Sequence, residues 1–413
     1  MTVTIIALGS QGDVVPYLGI ARELLGRGRD ACVVTHETYR SRVEADGLAF
    51  RPLPMDPREA FTPAVADEIR RGPRHAARAL ENVFGPWSQR LAEAMDDHLA
   101  DADAAVLSTL AWPAVHSAIG RGIPAQLVPL QPLHPTRDFA PPSLTPASRG
   151  GLLNRLLGRL VERRMVEPHL GEVNLVRGRH GLAPVTVEQH LSLLGSTVPV
   201  SYAFSRHLVP RPRDWPDGCD VVGFLDPGVP SGWQPDARLD AFLRAGEAPV
   251  FIGFGSTAPA GSQALAAVVQ ETVRRLGVRA VVQRGWAGLE VADPYVHVVD
   301  DVPHGWLFPR MQAVVHHAGA GTTAAALRAG VPSVPVPVAL DQGFWAARLC
   351  QRGAATGPIP ARSLSSDRLS RALSEAITRP SVRDSALRIG AAMSEEDAAR
   401  SIVDRLLTQV ERR

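Results

Sequence analysis

The run His317-Ala318-Gly319-Ala320-Gly321-Thr322-Thr323 sets an imidazole, two glycines and two hydroxyls side by side. That mixture suits anion capture. Gly319 and Gly321 let the backbone bend tightly and let a ligand approach where no Cβ intervenes. The amides that open the following helix, with the positive end of its dipole, favour a phosphate. Thr322 and Thr323 offer hydroxyl donors, and His317 offers a ring donor whose charge depends on its surroundings. The dipole alone contributes only about 0.3–1 kcal/mol, and about 2 kcal/mol when partly buried. The donors must therefore act together to hold a diphosphate.

Three further groups have chemistry to offer. In Gly9-Ser10-Gln11-Gly12-Asp13, the carboxylate falls just after an apolar run, at the strand end where doubly wound folds bind ligands. The same Asp13 also reads as the acid of a helix N-terminus. The turn lacks G-x-G-x-x-G and so is not a dinucleotide fingerprint. Gly255-Ser256 offers close approach and a hydroxyl to a phosphate, or else is a plain strand–helix turn with a serine cap. Asp341-Gln342 pairs a carboxylate, which accepts two hydroxyl protons, with an amide that both donates and accepts. That pair suits a polyol, although an aspartate at a helix start is commonly only a cap.

These residues need elements to position them. Gln312–His316 predicts a strand, Thr322–Arg328 a helix, Gly330 its stop and Ser333–Val336 the next strand. The same order recurs at the amino end: a strand over Thr2–Leu8, a helix with Leu18, Ala21, Leu24 and Leu25 on one face, Gly28 as its stop, and a strand over Ala31–Thr35. Pro249–Gly253 and the helix Ser262–Leu276 form another such unit. Strands alternating with helices predict parallel sheets. Residues 54–104 predict two or three helices, cut at Gly72-Pro73 and Gly85-Pro86. The prolines of 129–149 predict a long loop, and Leu152–Arg179 predicts an amphipathic helical stretch. The proline-rich run His207–Gly218 reads as a semi-rigid boundary between domains.

A chain of 413 residues suits two α/β domains of about 200 residues each. Aromatic residues make up 5% and the net charge is +2, which argues against a base-stacking surface and against nucleic acid or anionic membrane as the main partner. No apolar run approaches the roughly 18–20 residues of a membrane span, so no integral membrane association is expected. There is no lysine, so Schiff-base chemistry is excluded. Cys32, Cys219 and Cys350 are scattered, with neither metal spacing nor a disulfide framework. Asp101-Ala102-Asp103 precedes a strand rather than following it and reads as a solvated loop. No basic region precedes the first apolar residues, so a cytoplasmic protein is expected.

The segments VPHGWLFPR, HHAGAGTTAAALRAGVP and DQGFWAARL follow one another at Val302–Arg310, His316–Pro332 and Asp341–Leu349. In that order and spacing they resemble the donor-binding signature of family 1 glycosyltransferases, in the sterol glucosyltransferase-like and actinobacterial natural-product branch. GSQGDVVPY and FIGFGST resemble two further motifs of that branch. The resemblance implies an α/β fold of the GT-B type: two Rossmann-like doubly wound parallel-sheet domains facing a central cleft. Its implied divisions are an acceptor-binding domain over 1–206, a linker over 207–218, a nucleotide-sugar domain over 219–395, and a tail helix over 396–413 that returns to the first domain.

The resemblance also implies roles. Asp13 is the general base, on a turn with Ser10 and Gly12. His317, Gly319, Gly321 and Thr322 hold the diphosphate, with Gly255 and Ser256 as a second phosphate loop. Trp286 or Arg284 stacks on the base, and the Val302 backbone bonds its edge. Asp341 and Gln342 grip the sugar. The expected partners are a UDP- or TDP-sugar and an apolar small-molecule alcohol, with no cofactor, no metal, and a monomeric or weakly dimeric state. Many plant members use a histidine base in the first loop, and no histidine lies between Met1 and Thr35. The base here is then Asp13, His134 from the 129–149 loop, or a water relay; His134 reads equally as a loop histidine facing water. Two rivals stand beside this reading. A nicotinamide-dependent oxidoreductase would set Asp341 on a ribose, and a non-catalytic activator protein would need none of these groups.

Overall fold

The computed structural model describes residues 1–57, 62–256, 261–286 and 288–412. The chain divides into two compact units, Met1–Pro227 with Glu396–Arg413, and Gly228–Glu395.

The first unit is built on a seven-stranded sheet of order β3-β2-β1-β4-β5-β6-β7. The strands are β1 (Thr2–Ile6), β2 (Asp30–His36), β3 (Ala49–Leu53), β4 (Ala104–Leu107), β5 (Ala125–Leu127), β6 (Val200–Tyr202) and β7 (Cys219–Val221). Every pairing is parallel. The strand order reverses between β1 and β4, and in such sheets the crevice at that switch point is where ligands bind. Val3, Ile5, Val33 and Val106 are fully buried, as a sheet covered on both faces requires. Part of that cover is the C-terminal helix Ala398–Glu411, whose Ile402, Val403 and Leu406 join Leu18 and Leu24 in one apolar cluster.

The second unit carries a five-stranded parallel sheet of order β10-β9-β8-β11-β12. Its strands are β8 (Val250–Gly253), β9 (Ala280–Gln283), β10 (Val296–Val299), β11 (Val314–His316) and β12 (Ser333–Pro335). Here the order reverses between β8 and β11.

One expected boundary needs correction. The run His207–Gly218 is not a linker, and residues from Cys219 do not open the second domain. Cys219–Val221 is β7 and pairs with β6 in the first sheet. The proline-rich run is strapped to the first unit. Trp215 is buried with its ring 4.4 Å from that of Tyr202, and Asp214 accepts hydrogen bonds from Thr136 Oγ1 at 2.7 Å and from the Arg137 amide at 3.0 Å. Prolines suit such a strap as well as they suit a hinge, because both are extended. The 129–149 segment is irregular, as expected, and Leu152–Arg179 forms two helices, Gly151–Val166 and Leu170–Arg179. Asp101 lies next to β4's amino end, where it accepts two hydrogen bonds from Arg51, at the edge of the sheet opposite Asp13.

Candidate active site

In the second unit the carboxyl ends of β8, β9 and β11 bring three loops together. The Gly255 carbonyl accepts from the Trp286 amide at 3.1 Å, which ties the β8 loop to the β9 loop. A Cβ on Gly255 would stand 3.1 Å from His317 Cε1, so the β8 loop also lies against the imidazole. Gly255 and His317 thus meet at the switch point of this sheet. Thr257–Ala260 of the expected second phosphate loop lie outside the described residues.

The helix starts two residues earlier than its Ala-Leu run suggests, over Ala320–Arg328 with Gly319 as its cap residue and no side-chain cap. The amides of Ala320, Gly321 and Thr322 are the ones such a start leaves without intrahelical partners. Of the expected reasons for the glycines, the backbone one needs revision, while a Cβ at Gly321 would meet open space. Gly319 has ordinary backbone angles (φ −66°), and the left-handed residue is Ala318 (φ 64°). A Cβ on Gly319 would collide with His317 Nε2, so this position also makes room for the imidazole. Thr323 is also reassigned: it is fully buried, so its hydroxyl belongs to the interior, whereas Thr322 is half-buried at the helix start.

His317 makes no hydrogen bond with the described residues, and its Nδ1 is buried. Burial holds its pKa down to about 4, with His304 adding a smaller push in the same direction. At neutral pH the ring is an uncharged donor or acceptor, not a cation.

Asp341 does not cap the helix Gln342–Gln351; its Oδ2 accepts from Trp345 Nε1 at 2.6 Å. Gln342 is buried, and its Oε1 accepts from the Val338 and Ala339 amides at 2.8 and 3.1 Å. Its carbonyl therefore shapes the loop. Leu340, just before them, has φ 56°. Ala318 and Leu340 are the two non-glycine residues at positive φ among the described residues. Such strain costs about 1–3 kcal/mol each and gathers at functional sites. Arg284 is held by Glu290 and Asp300, and Val302 is buried with Phe251, Leu307 and Phe308.

In the first unit the turn after β1 closes as a capping box. Asp13 Oδ2 accepts from the Ser10 amide at 2.9 Å and the Ser10 hydroxyl at 2.7 Å. Both bonds fall on one oxygen, so Oδ1 is not hydrogen-bonded to any described residue. Gly12 is exposed beside them, and Gly9 (φ 124°) leaves space that a Cβ, 2.7 Å from Asp13 Oδ2, would fill. Asp13 reaches the surface, yet the protein massed around it raises its carboxyl above the ordinary value, opposed by the Ser10 bonds. The sequence motifs do not mark His36, which directly follows the histidine-free stretch Met1–Thr35. It is fully buried at the end of β2, beside β1, where its Nε2 accepts from the Gly9 amide at 3.0 Å.

Two family models match the chain: the glycosyltransferase family 28 N-terminal domain over residues 3–126, and the erythromycin biosynthesis protein CIII-like C-terminal domain over 264–408. An O-mycaminosyltylonolide 6-deoxyallosyltransferase of Streptomyces fradiae is 36% identical, over 96% of this chain and 94% of that protein. The chain is a family 1 glycosyltransferase. It belongs to the branch that holds sterol and natural-product enzymes. A sterol 3-beta-glucosyltransferase of Arabidopsis thaliana is 33% identical over 98% of this chain, which spans 64% of that protein's length. Among solved structures, the glycosyltransferase VinC in complex with DTDP shares the fold, with TM-score 0.69 and 20% identity over 100% of both chains. The calicheamicin glycosyltransferase CalG4 does so with TM-score 0.70 and 18% identity, over 99% of this chain and 98% of that one. These neighbours fit the two-domain GT-B fold expected from the motifs.

The first unit of this glycosyltransferase also contains a concavity of about 720 Å³ of empty space, open solvent included. It lies among the 131–143 loop, the helix Gly151–Val166 and β6. His134 is in its wall rather than in water. Its Nε2 lies 3.3 Å from the Leu194 carbonyl, its Nδ1 pairs with the Tyr202 hydroxyl, and burial lowers its pKa. No helix among the described residues is long and apolar enough to cross a membrane, and no group of three or more His, Cys, Asp or Glu among them could hold a metal ion.

Proposed function

We propose that this glycosyltransferase moves a sugar from a UDP- or TDP-sugar to a hydroxyl of a bulky, apolar small molecule, with inversion at the anomeric carbon. The observation that carries the reading is the start of Ala320–Arg328, an uncapped helix N-terminus at the sheet's switch point beside a half-buried imidazole whose Nδ1 is buried and unpartnered. That arrangement suits a diphosphate. Relatives named for sterols and for a tylonolide support the apolar alcohol as acceptor.

Asp13 Oδ1 takes the proton from the acceptor hydroxyl. The hydroxyl oxygen bonds the anomeric carbon, and the bond from that carbon to the diphosphate oxygen breaks, its electron pair leaving with the nucleotide. An α-linked donor gives a β-linked product. General-base assistance of this kind contributes about 10²–10⁴-fold. A carboxyl with a raised pKa is a better base than a free aspartate. The amides of Ala320–Thr322, the Thr322 and Ser256 hydroxyls and the neutral His317 ring stabilise the departing charge in place of a metal ion. Asp341, oriented by Trp345, and the Gln342 amide face the donor sugar, while Trp286 and the Val302 backbone hold the base.

The test is Asp13→Asn, assayed for transfer and for nucleotide-diphosphate binding with and without a strong chelator. Transfer should fall at least a hundredfold, binding should persist, and the chelator should change neither. Turnover within tenfold of wild type would remove Asp13 as the base. Activity restored only by Mg²⁺ or Mn²⁺ would overturn the metal-free step.

A further inference from the structure

The concavity in the first unit is apolar over most of its wall, with Trp112, Leu127, Leu133, Phe139, Met165 and Val166 lining it. One carboxyl interrupts that wall. Glu162 projects from the helix Gly151–Val166 as part of the lining and is half-buried. Its carboxyl forms no hydrogen bond and no ion pair with the described residues. A carboxyl in this position costs desolvation free energy that Arg159, on the same helix, offsets only in part. A ligand's polar group is the partner such a site lacks. We infer that Glu162 is a specificity-determining residue, a hydrogen-bond donor in the wall of a cavity for an uncharged, largely apolar ligand that carries an acceptor oxygen. This rests on the glycosyl-transfer reading only in naming that ligand the sugar acceptor.

The groups around the cavity agree on its neutrality. Burial pushes the Glu162 carboxyl up to about 8, with Arg159 on the same helix opposing. Tyr202, facing from β6, is held far above its ordinary value by burial, and Cys219 behind it is pushed up to about 12. The His134 ring is held neutral by burial. At pH 7 the concavity thus presents a carboxylic acid, a phenol and a neutral imidazole, with the Cys219 thiol behind them. A protonated carboxyl donates to a carbonyl, ether or hydroxyl oxygen. It offers no charge to a cationic ligand unless it first loses its proton.

The experiment uses the full chain and two steroid probes, progesterone, which has acceptor oxygens only, and an amine-bearing analogue of the same skeleton. Binding is measured by equilibrium dialysis at pH 6.5 and pH 9.5 for wild type, Glu162→Gln and Glu162→Leu. Progesterone should bind wild type about tenfold more weakly at the higher pH, the span of one lost hydrogen bond. Glu162→Gln should match wild type at pH 6.5 and lose the pH dependence, because its amide still donates. Glu162→Leu should lose about tenfold at pH 6.5. The inference is overturned if progesterone fails to bind, if all three proteins bind it alike, or if the amine binds more tightly as pH rises and only wild type shows this. UDP and TDP binding by calorimetry reports separately on the second unit. If that binding persists while Glu162 proves silent, this inference falls and the transfer reading stands. If nucleotide binding is absent while Glu162 controls progesterone, the transfer reading falls and the cavity assignment stands.

Discussion

The buried imidazole of His36 accepts a hydrogen bond from the Gly9 amide at 3.0 Å, while its Nδ1–H donates to the Met55 carbonyl at 2.8 Å. Burial lowers the ring's pKa, so it stays neutral and the tautomer is set by these two partners. His36 therefore fixes the turn from which Asp13 projects. It touches neither the proton nor the sugar and acts through the backbone.

Replacing His36 with Phe should leave a buried amide unpaired, at a cost of about 1–3 kcal/mol. The melting temperature should fall by several degrees and kcat about tenfold, with KM for the nucleotide sugar unchanged, since the donor loops belong to the second unit. His36→Gln, which can both accept and donate at this spot, should recover most of kcat. Equal losses for Phe and Gln would reduce His36 to a packing residue.

Gly319 and His317 are coupled through space: a Cβ on Gly319 would collide with His317 Nε2. Gly319→Ala should displace the ring and weaken UDP or TDP binding at least tenfold. His317→Ala should weaken it similarly. The double replacement should cost much less than the two together, because the clash disappears with the ring. Additive losses by calorimetry would show that Gly319 serves the ligand directly, as its place in the motif first suggests.

The two units should respond to pH with opposite sign. In the second, burial holds His304 and His317 down to about 4 and keeps His316 well below the ordinary value of 6.5. An unfolded chain binds protons there that the folded unit does not. Their contribution is complete above pH 6.5 and is lost as pH falls through about 4. In the first unit the raised Glu162 contributes most below its unfolded value of 4.5, and this is lost as pH rises through about 8. Hydrogen exchange of the β11 amides should accelerate between pH 6.5 and 4.5, after correction for intrinsic rates, and less so in His317→Asn. Exchange independent of pH in that window would contradict the buried-histidine account.

Much of this was open to the sequence because it is local. Alternation of apolar runs with Ala- and Leu-rich helices fixes two parallel sheets, since side-chain period and turn residues act over a few positions. The motif segments mark the donor loops for the same reason: short spacings place His317, Gly319 and Thr322 on one turn whatever surrounds them. What the chain does at a distance was decided only by folding. Trp215 buries against Tyr202 and turns an apparent hinge into a strap, a contact between residues whose separation no periodicity records. His36 reaches Gly9 because β2 pairs with β1, and Glu162 confronts an apolar wall because three separate segments close around it. Burial and partnership are properties of the packed interior, where a neighbour's dielectric and hydrogen bonds set what a side chain can do; sequence names the side chain, and packing settles its charge.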